Sequence, residues 1–159
     1  MVEILNRLKS ADIPAEDQKT FLKAQILFWL IGATDGHAKN FSIFLGRGGS
    51  FQLTPIYDVL TAQPSMDARR IERKQMKLAM SVGDGRHYKI DDIEGRHFIQ
   101  TVKRAGLPES LANDTLQEIA RAAGDAMKMI EKHLPDGFPE EIHHSVTDGV
   151  NSRLRKIWN

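Results

Sequence analysis

The sequence predicts a mostly α-helical domain carrying small β-hairpins, an α+β fold, and three observations predict it. A run beginning at Leu22 is apolar on nearly every side of a helix; two strand–turn–strand patterns with glycine-rich turns follow; and from Asp92 onward apolar residues recur at helical spacing. Residues 15–32, AEDQKTFLKAQILFWLIG, begin with acids and contain no proline. An apolar surface this wide belongs to a central, buried helix rather than one lying on water. Ile13-Pro14-Ala15-Glu16 supplies the start signal and Gly32 the stop. Phe41–Leu45 and Ser50–Thr54 read as strands joined by the turn Gly46–Gly49. Residues 61–75 are polar and read as irregular, and Lys77–Val82 and Arg86–Ile90, separated by Gly83-Asp84-Gly85, predict a second hairpin. Helices are expected over 94–105, stopped by Gly106, over 108–134, and from Pro139 through Ile157, so that residues 92–158 form a helical remainder.

Composition bounds the chemistry. The 159 residues suit one domain, 1–159, and 41% apolar with 27% charged residues exclude a disordered chain. A net charge of +1 gives the whole chain no pull on nucleic acid, so any basic contact must be local. The absence of cysteine excludes a disulfide framework and a thiolate zinc site, in keeping with a reducing compartment. The start MVEILNRLKS lacks the shape of a signal peptide, and the apolar stretch 24–33 is too short to span a bilayer. The expectation is a cytoplasmic chain with no membrane partner.

The stretch that carries chemistry is Thr34-Asp35-Gly36-His37-Ala38-Lys39-Asn40, between the buried helix and the first hairpin, with Asp58 following that hairpin. Phosphoryl transfer needs a carboxylate near the attacking hydroxyl and hard oxygen ligands that hold magnesium against the phosphates. Kinase catalytic loops space these as Asp-x-x-x-x-Asn, with a further metal-binding aspartate beyond. Asp35 and Asn40 have that spacing, and the hairpin 41–54 would return Asp58 beside Asn40. Oxygen ligands of this kind suit Mg²⁺ better than zinc. Each residue alone has a plainer reading, as a cap, a turn residue or a solvated loop charge. The order of helix, loop, hairpin and acid is what makes the set specific.

LFWLIGATDGHAKNFSIFL followed by LTPIYDVL strongly resembles the HipA family of bacterial toxin kinases, and the likeness continues through KLAM, RHF and GFPEE. The resemblance implies a protein-kinase-like C-terminal lobe of the PI3/PI4-kinase-like type, using ATP and Mg²⁺ to phosphorylate a protein serine. The family's acceptor is glutamyl-tRNA synthetase, whose block leads to growth arrest and persistence. Its partner is the helix-turn-helix antitoxin HipB, through which it meets DNA only indirectly. By the motif match, Asp35 would be the catalytic base, with His37 two residues on where lipid-kinase-like loops carry a histidine. Asn40 and Asp58 would bind magnesium, and Lys39 would lie beside the phosphates. Only 34 residues precede Asp35, and they hold neither a phosphate-covering loop nor a nucleotide-gripping lysine, so the expectation is a C-lobe without its N-lobe. The alternative is a catalytically silent module that binds an antitoxin or a separate N-lobe.

Arg69–Lys77 is basic and reads first as a solvated segment, with a substrate-binding segment or DNA backbone contact as rivals. His143-His144 is no metal motif, because neighbours on a helix point about 100° apart. Residues 116–130 are expected to pack in the core, and Trp158 to cap it.

Overall fold

The computed structural model describes residues 1–159, and its axis is the helix expected from the apolar run. That helix, α2 (Pro14–Ile31), buries Phe21, Leu22, Ile26, Phe28 and Trp29 on several sides at once. Only Leu27 among its large apolar residues is exposed. Gly32 ends it in the left-handed conformation at φ 71°, with its N–H turned back to the carbonyls of Phe28 and Trp29. A Cβ would strain that backbone, which is why glycine stops the helix there.

A short α1 (Val2–Arg7) lays Leu5 into the core ahead of α2. The first hairpin pairs β1 (Ile43–Leu45) with β2 (Phe51–Leu53) antiparallel, Phe44 opposite Gln52. It is moored to the start of α2: the Asp12 N–H donates to the Phe51 carbonyl at 2.8 Å and the Leu53 N–H to Asp17 Oδ2 at 2.9 Å. Phe41, leading into it, meets Phe21 edge-on with ring centroids 4.9 Å apart. The second hairpin, β3 (Lys77–Val82) and β4 (His87–Lys89), is also antiparallel. Its exit is fixed by the Trp29 indole, which donates to the Ile90 carbonyl at 3.1 Å.

Three helices follow: α4 (Gly95–Arg104), α5 (Glu109–Lys132) and α6 (Glu140–Leu154), after a short α3 (Gln63–Asp67) between the hairpins. Helix α4 brings Phe98 against Trp29, and α2 packs against both α5 and α6. The mostly helical architecture with two small hairpins is the one expected. No helix is long and apolar enough to cross a membrane.

Three expectations are corrected. Residues 61–75 are not wholly irregular, because Pro64 sits in the first turn of α3, where its missing N–H costs nothing. Trp158 does not cap the core: it is 66% exposed, and its neighbour Ile157 is buried instead. The apolar stripe of α5 is core only at its start, through Ala112 and Leu116. Farther along, Ile119, Ala123, Met127 and Ile130 face an open groove between α2, α5 and α6 of about 480 Å³. Helical spacing gives a stripe its direction but not its cover.

Candidate functional site

The loop after α2 is organised by one carbonyl. The Asp35 carbonyl accepts the His37 N–H at 2.8 Å and the Asn40 side-chain amide at 2.8 Å, closing residues 35–40 into a tight unit. Asn40 is buried, at the end of a single 3-10 turn, Ala38–Asn40. Since a carbonyl can only accept, Asn40 uses its Nδ2 here and keeps Oδ1 free. Gly36 lets this loop lie on the core: a Cβ built there would fall 2.2 Å from Cδ2 of the buried Phe28 ring. Any side chain would lift the loop off α2.

The Asp35 carboxylate is 74% exposed, and its Oδ1 lies 3.4 Å from His37 Nε2. A contact so wet and so long adds little stability, but it sets the two side chains side by side at the surface. Lys39 is exposed, and its contribution within the fold is its backbone carbonyl.

Asp58 reaches the loop through its neighbour. The Tyr57 hydroxyl lies 2.7 Å from Ser42 Oγ and donates to the Lys39 carbonyl at 3.3 Å, which pins the irregular segment carrying Asp58 to the loop carrying Asn40. On its other side the segment is clamped to the end of α2, where the Thr61 hydroxyl donates to the Ile31 carbonyl and the Ala62 N–H to the Gly32 carbonyl at 2.9 Å. Between these clamps Asp58 takes a left-handed backbone, φ 56°, and exposes its carboxylate. Aspartate tolerates that region better than most residues, yet such a position still costs about 1 kcal/mol or more and marks a place held by its surroundings.

Beneath the site lies a buried cation that the sequence did not single out. Arg153 of α6 donates from Nε to the Leu30 carbonyl at 2.8 Å and from Nη1 to Gln63 Oε1 at 2.9 Å. Burial pulls its pKa down from 12.5 to about 10, opposed by the charges of Asp91 and Asp67. It ties the last turn of α2 to α3, one element on each side of residues 34–58. The basic segment is partly neutralised: Arg73 Nε is 2.5 Å from Asp91 Oδ2, and Lys74 Nζ 2.7 Å from Glu72 Oε2. That partner holds the Asp91 carboxyl below the usual carboxylate range.

The arrangement therefore offers a free amide oxygen at Asn40 and exposed carboxylates at Asp35 and Asp58, on segments held together by the Asn40–Asp35 and Tyr57–Lys39 hydrogen bonds. These are hard oxygen donors, and few enough to suit a magnesium ion that keeps waters and phosphate oxygens as its other ligands. No group of three or more His, Cys, Asp or Glu side chains assembles anywhere in the chain, and Asp35, His37 and Asp58 do not form one either.

The sequence profile described as the HipA-like C-terminal domain matches residues 1–127. The chain belongs to the HipA-like C-terminal domain family. Among relatives of this HipA-like chain is a Sinorhizobium fredii protein named "Putative kinase Y4mE", 29% identical over 131 residues that cover 77% of this chain. Among solved structures, HipA of Shewanella oneidensis, determined as a toxin–antitoxin complex with HipB and operator DNA, superposes on 97% of this chain with a TM-score of 0.78 at 24% identity. That likeness is one of fold. The HipA-like chain spans 29% of the length of the first protein and 36% of the second.

Proposed function

We propose that residues 34–58 form the catalytic and metal-binding part of a serine/threonine protein kinase lobe of the PI3/PI4-kinase-like type. Asp35 is the base toward the acceptor serine hydroxyl, with His37 beside it. Asn40 Oδ1 and Asp58 hold Mg²⁺, which when bound neutralises the phosphates of ATP, and Lys39 lies alongside them. The observation that carries this reading is the Asn40 amide, committed through Nδ2 to the Asp35 carbonyl and leaving its oxygen without a hydrogen-bond partner. The acceptor would be a protein serine, on glutamyl-tRNA synthetase as the family resemblance implies, and the setting a cytoplasmic toxin–antitoxin module linked to growth arrest and persistence. Calorimetry with Mg-ATP tests the roles. Mg²⁺-dependent binding that Asp58→Ala and Asn40→Ala weaken at least tenfold supports them, and equal heats for all three proteins would overturn them.

A second reading is favoured by one observation, the uncovered groove between α2, α5 and α6. Exposed apolar surfaces of this kind mark protein contacts. In this reading the domain acts as a binding module for a HipB-like antitoxin or a separate N-lobe, with DNA met only through the antitoxin. It predicts 1:1 capture of such a partner by the wild-type chain and by Asp58→Ala alike.

A further inference from the structure

We infer that Tyr57 is a positioning residue for the metal centre, setting the separation between Asp58 and Asn40 through its hydroxyl. The inference rests on the kinase reading and names a part of that site which neither the motif nor the comparisons assign.

Asp58 itself is exposed and sits on a strained left-handed backbone, so its own surroundings do little to fix where its carboxylate points. Its immediate neighbour is fixed. The Tyr57 hydroxyl donates to the Lys39 carbonyl, and the Ser42 hydroxyl, 2.7 Å away, is left to donate to the Tyr57 oxygen. Lys39 and Ser42 flank Asn40 and Phe41 in the chain, so the phenol grips the loop on both sides of the amide ligand. The grip is on main chain at one end and on a short hydroxyl at the other, neither of which can follow a wandering side chain. Asn40 is in turn held by the Asp35 carbonyl. A path therefore runs from Asp35 to Asn40 by a hydrogen bond, along the chain to Lys39, from there to Tyr57 by a second hydrogen bond and, across one further peptide bond, to Asp58. Ring packing does not account for this placement, because Tyr57 is itself exposed; the hydroxyl is what the site needs. Groups that orient metal ligands without touching the ion commonly govern affinity about 10–100-fold.

Removing only that oxygen isolates the effect. Mn²⁺ is titrated into the full chain and followed by paramagnetic broadening of the amide resonances of Phe41 and Val59, for wild type, Tyr57→Phe, Ser42→Ala and Ser42→Thr. The inference expects Tyr57→Phe to bind Mn²⁺ about tenfold more weakly or worse, with an unchanged melting temperature. Ser42→Ala should lose part of that affinity, and Ser42→Thr, which keeps the hydroxyl, should restore it. Adding Ser42→Ala to Tyr57→Phe should cost nothing more, because the two act through one contact. Wild-type affinity in Tyr57→Phe overturns the inference while leaving the metal site standing. A wild-type chain whose Phe41 and Val59 resonances are untouched by Mn²⁺ overturns the underlying site and the inference together.

Discussion

Arg153→Met asks whether the site stands on a buried cation or merely above one. In the folded chain Arg153 is 6% exposed, and desolvation pulls its pKa from 12.5 to about 10, equivalent to a burial penalty of about 3 kcal/mol. Methionine fills much of the same volume and returns that penalty. Against this, two charge-assisted hydrogen bonds are lost, to the Leu30 carbonyl and Gln63 Oε1, each worth about 1.5–3 kcal/mol. Both acceptors are then left buried without a donor, at about 1 kcal/mol or more apiece. The balance is a destabilisation of about 2–5 kcal/mol, in the range that breaking a buried ionic contact costs. Arg153→Ala, which adds a cavity, should be worse. Urea unfolding followed by circular dichroism measures the change, and amide exchange should show faster opening of 61–67 in the variant. An Arg153→Met protein as stable as wild type would refute the reasoning, because the penalty of burying the cation would then have outweighed its contacts.

Other consequences follow from single contacts. His97 is buried against His87, with ring centroids 4.0 Å apart, and burial first and the His87 charge second push its pKa below 6.5. The folded state thus disfavours the proton that the unfolded chain accepts, so stability is intact above about pH 6.5 and falls as pH drops below it. Melting temperatures from pH 7.5 to 5 should show that fall, and His97→Gln should flatten it. Gly36→Ala should cost about 1–3 kcal/mol and shift Phe28, given the 2.2 Å approach, as thermal unfolding and the Phe28 ring resonances would report. Ile130→Glu, in the open groove, should leave the melting temperature within a degree or two, whereas the same change at a buried core residue would unfold the domain; it should also abolish binding of an apolar dye to the chain.

The legible part of this molecule was local. The helix α2 showed itself because its apolar residues wrap every side and because proline and glycine bracket it, and the first hairpin because a glycine-rich turn separates two short apolar runs. Asp35 and Asn40 could be paired from their spacing together with the order of helix, loop, hairpin and acid around them, and the structure adds a bond between them, a side-chain amide closing on its own loop. What sequence left hidden depends on contacts far apart in the chain. Nothing in the text of residues 55–60 singles out Tyr57, since its partners Lys39 and Ser42 lie across the hairpin. Arg153 meets Leu30 from 123 residues away and reads, in sequence, as one more charge on a helix. The stripe of α5 erred in the other direction: its period was read correctly, but no period says whether a neighbour arrives to cover it.

The central claim, that Asn40 and Asp58 are the metal ligands of a phosphoryl-transfer site in this HipA-like domain, is tested most directly by a crystal structure with Mn²⁺ and a non-hydrolysable ATP analogue. The account predicts an anomalous peak about 2.0–2.3 Å from Asn40 Oδ1 and an Asp58 carboxylate oxygen, with phosphate oxygens completing the shell. A metal–nucleotide bound elsewhere, or Asn40 turned so that its oxygen faces Asp35, would contradict it.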